Sequence, residues 1–411
     1  MTCGYSFAEA TLSSAKSAPG YRGHFAIAAR WVGANTSRMP FRVLIVPDKF
    51  KGTLTAGAAA AAIAAGWRST RPNDTLDLLP MSDGGDGFGE IMGELLGAEP
   101  RTVRTVDAAH RPIEATWWWH SASRTAIIES ARVIGLAQLP AGKYHPFELD
   151  TEGLAAVLKA AAQAGARRCL VGVGGSATND AGFGLARALG WQFFNNHGQK
   201  IARWTELHAL AQVRPVEPPR LFEELVVAVD VQNPLLGPQG CTRVYGPQKG
   251  LRADDFEFAE RCLGQLAEVL TREFHRDRAT EPGAGAAGGL GFGLGCFCGA
   301  TLAPGFDLFA GQAGLAARVR GADLVITGEG AIDASSLMGK GVGEVVRLCR
   351  QSGVPCLGLA GGLALPDEAR GQLTAAYALA PDFTSLDQAR AEPARWLERL
   401  AAKAAAEWSQ R

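Results

Sequence analysis

Five short polar runs flanked by glycine carry the residues that could do chemistry: PDKFKG (47–52), SDGGDG (82–87), GGSATND (174–180), VDVQNP (229–234) and GEGAID (328–333). All but one closely follow an apolar, strand-like stretch. In open α/β sheets the segments that leave strands lie at the carboxyl ends, where ligands bind. Asp-Gly and Asn-Pro taken singly are also the chemistry of ordinary turns, but five carboxylate-bearing runs in one chain are harder to assign to turns alone. Small residues and hydroxyls beside acids suit a polyanion and its metal, because backbone N–H groups and helix N-termini bind phosphate while carboxylates hold Mg²⁺. GGSATND reads best as such a loop, entering a helix over Ala181–Leu189. Lys49 and Lys51 would meet negative charge at the end of the first strand; as solvated lysines they would need no explanation, and the neighbouring runs decide between the two.

Other motifs point nowhere. Gly283, Gly285 and Gly288 have the G-x-G-x-x-G spacing of dinucleotide-binding loops, but the preceding HRDRATE is no strand, so that reading is rejected. The chain has no G-x-x-x-x-G-K-[ST], G-x-S-x-G or H-E-x-x-H run. Its 7 histidines form no i, i+4 pair, which disfavours His-based catalysis. Cys296 and Cys298 form a lone C-x-C pair, to which no zinc is assigned. Trp117–Trp119 must face alternate sides of a strand, for packing rather than ligand stacking.

The elements that must position these runs are those of an α/β protein. Val43–Val46 reads as a buried strand, followed by a polar loop and an Ala-rich helix that Thr53 or Thr55 would cap. Near the other end ADLVITGEG (322–330), PCLGLAGG (355–362) and AAYALAP (375–381) are short apolar strands between helical segments. That alternation specifies a doubly wound parallel sheet. Between the ends the texture changes to alternating strands (IEATWWWH, RTAIIESA) and buried ones (GARRCLVGVGG, EELVVAVD). The lone N-terminal βα unit needs sheet neighbours. The expectation is therefore a discontinuous first domain, 42–79 with 296–411, and an inserted α/β domain over 80–295.

With 411 residues, 41 Lys and Arg against 41 Asp and Glu, and 47% hydrophobic residues, the chain has a core of ample size and no excess charge to gather nucleic acid or anionic lipid. Neither partner is expected. Eight scattered cysteines point to reduced thiols in a cytoplasm, and no apolar run reaches the ~18 residues of a membrane span. Residues 1–41 are expected to be a disordered extension. A transit peptide and a start called too early, with translation beginning at Met39, both account for it; the clean strand after Pro40 favours the second.

The stretches VPDKFKGTLTA, DGGDG, GVGGSATNDAGFGLARALG, DVQNPLLGPQG, YGPQKG, PGAGAAGGLGFGL and VITGEGAID with its following Gly339 and Lys340, in this order, resemble the glycerate kinase family of bacteria from about Arg42 to the C-terminus. The resemblance implies a flavodoxin-like α/β domain with a second α/β domain inserted, and ATP-dependent phosphorylation of D-glycerate, usually on the 2-hydroxyl. The alternatives are 3-phosphorylation and an inactive sugar-acid-binding relative. A homodimer stays open. On this reading Mg²⁺ is held by carboxylates among Asp83, Asp86, Asp230 and Asp333. Asp180 is the expected base, or else a helix cap, with Asp48 and Lys49 beside the substrate. Lys51, Gly174, Gly175, Ser176, Thr178, Asn179, Gly283, Gly285, Gly328 and Glu329 are expected to contact phosphate or substrate. The chain departs from the family at Gly153–Val157 and at Ala331, where an arginine is common, which bears on substrate preference.

Overall fold

A computed structural model describes residues 40–215, 220–275, 277–334, 336–337, 341–366 and 371–410. Nearly all of the expected N-terminal extension, Met39, and the Gly339–Lys340 pair lie outside the described residues. Pro40–Arg411 forms one compact unit.

Among the described residues thirteen strands follow in order. They are β1 (Arg42–Pro47), β2 (Thr75–Leu78), β3 (Glu99–Val106), β4 (Pro112–His120), β5 (Thr125–Glu129) and β6 (Arg168–Gly172). Then come β7 (Gln192–Asn195), β8 (Leu210–Arg214), β9 (Glu224–Val229), β10 (Thr301–Pro304), β11 (Leu324–Asp333), β12 (Cys356–Ala364) and β13 (Ala375–Ala380). The first sheet has the order β13-β12-β11-β1-β2, and every neighbouring pair is parallel. Counted along the chain, this is the flavodoxin-like order, whose switch point falls between β1 and β11. The second sheet runs β10-β9-β6-β5-β4-β3, parallel from β10 to β5 and antiparallel beyond. It therefore takes in Thr301–Pro304, beyond the 295 boundary read from the sequence, because β10 pairs with β9. A third sheet is the hairpin of β7 and β8.

The sequence patterns account for the layers. In β1, Val43 and Ile45 join one core with the Ala-rich helix Ala56–Thr70 and the C-terminal helix Pro393–Trp408, while Leu44 and Val46 join another. Burial on both faces is the mark of a central parallel strand. The helix Ala56–Thr70 starts at Thr55, whose side chain accepts from the Ala58 N–H at 3.1 Å. The helix expected from Ala181 begins at Phe183 instead, because Ala181 and Gly182 are left-handed, with φ of 51° and 75°.

The second core joins both large sheets. It holds Leu44, Val46 and Val325 from the first, and Trp118, Ile127, Leu170 and Val226 from the second. Trp117 and Trp119 turn to the other face of β4. Trp118 lies in a notch on the helix Phe88–Leu96, where a Cβ on Gly93 would come within 2.6 Å of the ring and one on Gly89 would overlap it. This helix follows the SDGGDG run directly, so the indole anchors the run's downstream end. Trp118→Ala is expected to destabilise the protein by about 3–5 kcal/mol, read as a lower urea midpoint.

Candidate functional site

The run PDKFKG leaves β1 at the switch point. The Asp48 N–H donates to the Gly328 carbonyl of β11 at 2.8 Å, which carries the parallel pairing one residue past the strand. The Lys49 N–H donates to Asp48 Oδ1 at 2.7 Å. Buried Phe50 then closes a turn through paired backbone bonds with Leu54, and Lys51 stands exposed on it.

SDGGDG lies where the carboxyl ends of both large sheets meet. Lys49 Nζ sits 3.3 and 3.2 Å from the two carboxylate oxygens of Asp83. On the other side the run touches the second sheet with bare backbone. A Cβ on Gly84 would lie 2.8 Å from the Ala228 carbonyl of β9, one on Gly174 would lie 2.5 Å from Gly85 Cα, and one on Gly305, after β10, would overlap the Asp83 carbonyl. Asp86 Oδ1 lies over Gly175, within 2.5 Å of where a Cβ would stand. Glu129, at the end of β5, accepts from the Gly87 and Gly89 N–H groups at 3.0 Å each and so caps the helix that follows.

Charge is crowded here. Burial, helped by the negative charges of Asp83 and Glu329 and opposed by Lys49, pushes the Asp48 carboxyl up to about 6. Burial works against the Lys49 ammonium, but Asp83, Asp48 and Asp86 outweigh it and its pKa rises.

The GGSATND loop divides into two halves. Gly175 is exposed beside Asp86 and Gly174 half-buried against Gly85, whereas Thr178, Asn179 and Asp180 are wholly buried. Ser176 folds onto Thr178, its hydroxyl accepting from the Thr178 N–H at 3.1 Å. Asn179 Nδ2 donates to the Thr242 hydroxyl at 3.1 Å, and its Oδ1 is buried without a hydrogen-bond partner. Ser176, Thr178 and Asn179 thus shape the loop from inside.

Asp180 is placed differently from the base expected of it. At 0% exposure, its Oδ2 accepts from the Thr151 N–H (3.0 Å), the Thr151 hydroxyl (2.8 Å) and the Gly184 N–H (2.9 Å), and its Oδ1 faces the Gly182 N–H at 3.3 Å. Both oxygens are occupied in the interior, away from any substrate. The helix-cap alternative describes this geometry. Burial, with the charge of Asp150, still pushes its pKa up to about 6 against those donors.

Three glycines also differ from expectation. Gly283 and Gly285 pack against Val229 and Pro234, and the Gly285 N–H is spent on the Asn233 carbonyl at 2.9 Å, so they hold the VDVQNP turn rather than phosphate. Gly328 faces the Leu359 carbonyl of β12, where no side chain fits. Asp230 is exposed just past β9 and faces Tyr245, whose hydroxyl donates to Asn233 at 2.6 Å. Asp333 closes its own turn, accepting from the Ser336 N–H at 3.0 Å. The sequence reading missed Glu129, Thr151 and Lys249; the last lies in YGPQKG, quoted without a role. A second acidic group, His110, Asp150 and Glu152, has its ligand atoms within 4.8 Å of one another. Arg187 already bridges its two carboxylates, so a cation is in place there.

The family model of the glycerate kinase family matches residues 43–409. The chain belongs to the glycerate kinase family. It is 38% identical over 365 residues to a glycerate kinase of Halalkalibacterium halodurans, covering 87% of this chain and 96% of that one. It is 34% identical to the glycerate 2-kinase of Escherichia coli, over 78% and 85% of the two chains. A Salmonella typhimurium crystal structure assigned to glycerate kinase 2 superposes with a TM-score of 0.77 at 31% identity, covering 90% of this chain and 99% of that one. The chain is thus a phosphotransferase of α/β fold, and among its described residues no helix is long and apolar enough to cross a membrane.

Two variants separate the carboxylates. The folded-state pKa of Asp48 lies above the unfolded one, so the penalty on its carboxylate is complete above pH 6 and gone below about pH 4. Asp48→Asn should therefore raise stability on the order of 1–2 kcal/mol at pH 7 and by nothing near pH 4, as read from urea unfolding at both pH values. Asp180→Asn sets an amide among four N–H and O–H donors and should cost about 2–4 kcal/mol; a variant with parental stability would contradict the capping role.

Proposed function

We propose that the chain transfers the γ-phosphoryl group of ATP to the 2-hydroxyl of D-glycerate at the β1–β11 switch point. The observation that carries the reading is the meeting of Asp48, Lys49, Asp83 and Asp86 with Gly174 and Gly175 at the carboxyl ends of both sheets. The names of the Escherichia coli and Salmonella relatives support the 2-position.

Phosphoryl transfer demands positioning and charge stabilisation more than covalent chemistry. Gly175, exposed beside Asp86, offers backbone to phosphate, and Lys49 and Lys51 supply positive charge from the β1 turn. Asp48 takes the proton of the substrate hydroxyl. That oxygen attacks the γ-phosphorus, the bond to the β-phosphate oxygen breaks, and ADP leaves with the electron pair. A carboxyl near 6 suits a base working at neutral pH. Asp83 and Asp86 flank the Lys49 ammonium opposite Asp48, and their hard oxygen donors would fit Mg²⁺, with Asp230 and Asp333 as further ligands. When bound, Mg²⁺ offsets charge on the phosphate oxygens.

A coupled ADP-release assay with D-glycerate, followed by NMR identification of the product, should show 2-phosphoglycerate. Formation of 3-phosphoglycerate would overturn the regiochemistry, and binding without turnover would favour a sugar-acid sensor. Asp48→Asn should lower kcat about 10²–10⁴-fold and remove an acid limb near pH 6 from the parent's kcat/KM profile.

A further inference from the structure

Lys249, the last residue of the helix Cys241–Lys249, points inward rather than to solvent. It is 6% exposed, and its ammonium donates to the Thr178 carbonyl at 2.6 Å. Among the described residues it has no carboxylate within ion-pair distance, although Asp180 is near enough for its charge to be felt. Burying an ammonium on one carbonyl is costly, and a neutral hydrogen-bonding side chain would fill the space at less expense. The arrangement makes sense where the orientation of that carbonyl matters.

Thr178 belongs to the buried half of the loop whose other half, Gly174 and Gly175, lies beside Gly85 and Asp86. On the other side of the Thr178 carbonyl stands Gly288, whose Cβ would overlap it, so the oxygen is clamped between a bare glycine and a cation. Two residues on, Asp180 ties the loop to Thr151 and to the next helix.

We propose that Lys249 is a positioning residue for phosphoryl transfer: from the interior it fixes the Thr178 carbonyl and balances the Asp180 carboxylate, and so presets the Gly174–Asn179 loop for the transferred phosphate. This rests on the phosphoryl-transfer reading above. The titratable groups facing Lys249 are Asp180 from the loop and Cys241 from its own helix. Glu260, on the adjacent helix Ala253–Phe274, acts on Cys241, and the helix Ala286–Cys298 carries no titratable side chain besides its thiols. Burial pulls the Lys249 ammonium down to about 8, with Cys241 and Asp180 working the other way. Both charges of the clamp are present between about pH 6 and 8, and the ammonium is lost as pH rises through 8.

The test compares kcat/KM for ATP from pH 6 to 9.5 in the parent and in Lys249→Met, with urea unfolding of both. The parent should lose tenfold or more above pH 8. Folded Lys249→Met should be at least tenfold slower at pH 7 and lack that alkaline limb. Parental kinetics in the variant, or an unchanged limb in a slower one, overturns the proposal. Amide exchange of residues 174–180 in the unaltered protein, corrected for the intrinsic effect of pH, needs neither a variant nor turnover. Protection should fall between pH 7 and 9, and constant protection overturns the proposal even if Lys249→Met does not fold. Loss of protection in a protein that phosphorylates no D-glycerate would instead sink the substrate reading and leave the clamp standing.

Discussion

The site depends on one steric constraint: the backbone of Asp83–Asp86 must touch the carboxyl ends of two different sheets at once. Toward the second sheet it meets the Ala228 carbonyl, Gly174 and Gly305 with no intervening side chain. Toward the first it presents Asp83 to Lys49. A single Cβ at these contacts would push the sheets apart by more than a packed interior tolerates. The shared core beneath, with Trp118 seated on the helix Phe88–Leu96, holds the run against both sides. Positions that chain distance would scatter, from Asp48 to Glu329, therefore lie around one short segment.

Close approach has an electrostatic consequence. Carboxylates brought together and partly removed from water repel, and Asp48 bears the result as a raised pKa. Left alone, such a cluster destabilises the fold; opposite a phosphate and a cation it is used. Stability and function pull in opposite directions at Asp48, as expected where a site is built before its ligand arrives. At Asp180 the same rise in pKa has another meaning. There the carboxylate is saturated with donors, and burial, with the charge of Asp150, lifts it against them. A shifted pKa marks burial first and chemistry only where the group can reach a substrate.

The elements were legible where a local pattern sufficed. Apolar runs ending in glycine or proline located β1, β11, β12 and β13, and the need of a lone βα unit for neighbours brought the two chain ends into one sheet. Position after a strand placed Asp48, Lys49, Asp83 and Asp86 at the carboxyl ends. What stayed illegible was direction. GGSATND carries glycine, hydroxyl and acid in one run, and nothing local tells that Gly175 faces outward while Thr178 to Asp180 turn in. That depends on Thr151, Thr242 and Lys249, which lie 29, 63 and 71 residues away along the chain. The glycines of PGAGAAGG show the same limit, since a position needing close packing and one needing ligand approach call for the same residue.

The β1 turn and the Gly174–Asp180 loop are held by different means, and under the phosphoryl-transfer proposal the difference bears on how the site would work. The β1 turn is an extension of a parallel pairing, fixed by the Asp48–Gly328 bond and the buried ring of Phe50; its rigidity comes from the sheet and is insensitive to charge. The Gly174–Asp180 loop is pinned at Ser176 by one antiparallel bridge to Gly135, and its end over Thr178–Asp180 is fixed by side chains, two of them ionisable. A loop held by an ammonium and a carboxylate keeps its shape only while both are charged, so its geometry is linked to proton binding in a way the turn's is not. On the phosphoryl-transfer proposal, Lys49 and Lys51 would thus meet the phosphate from a fixed support, and the loop backbone would meet it from an adjustable one.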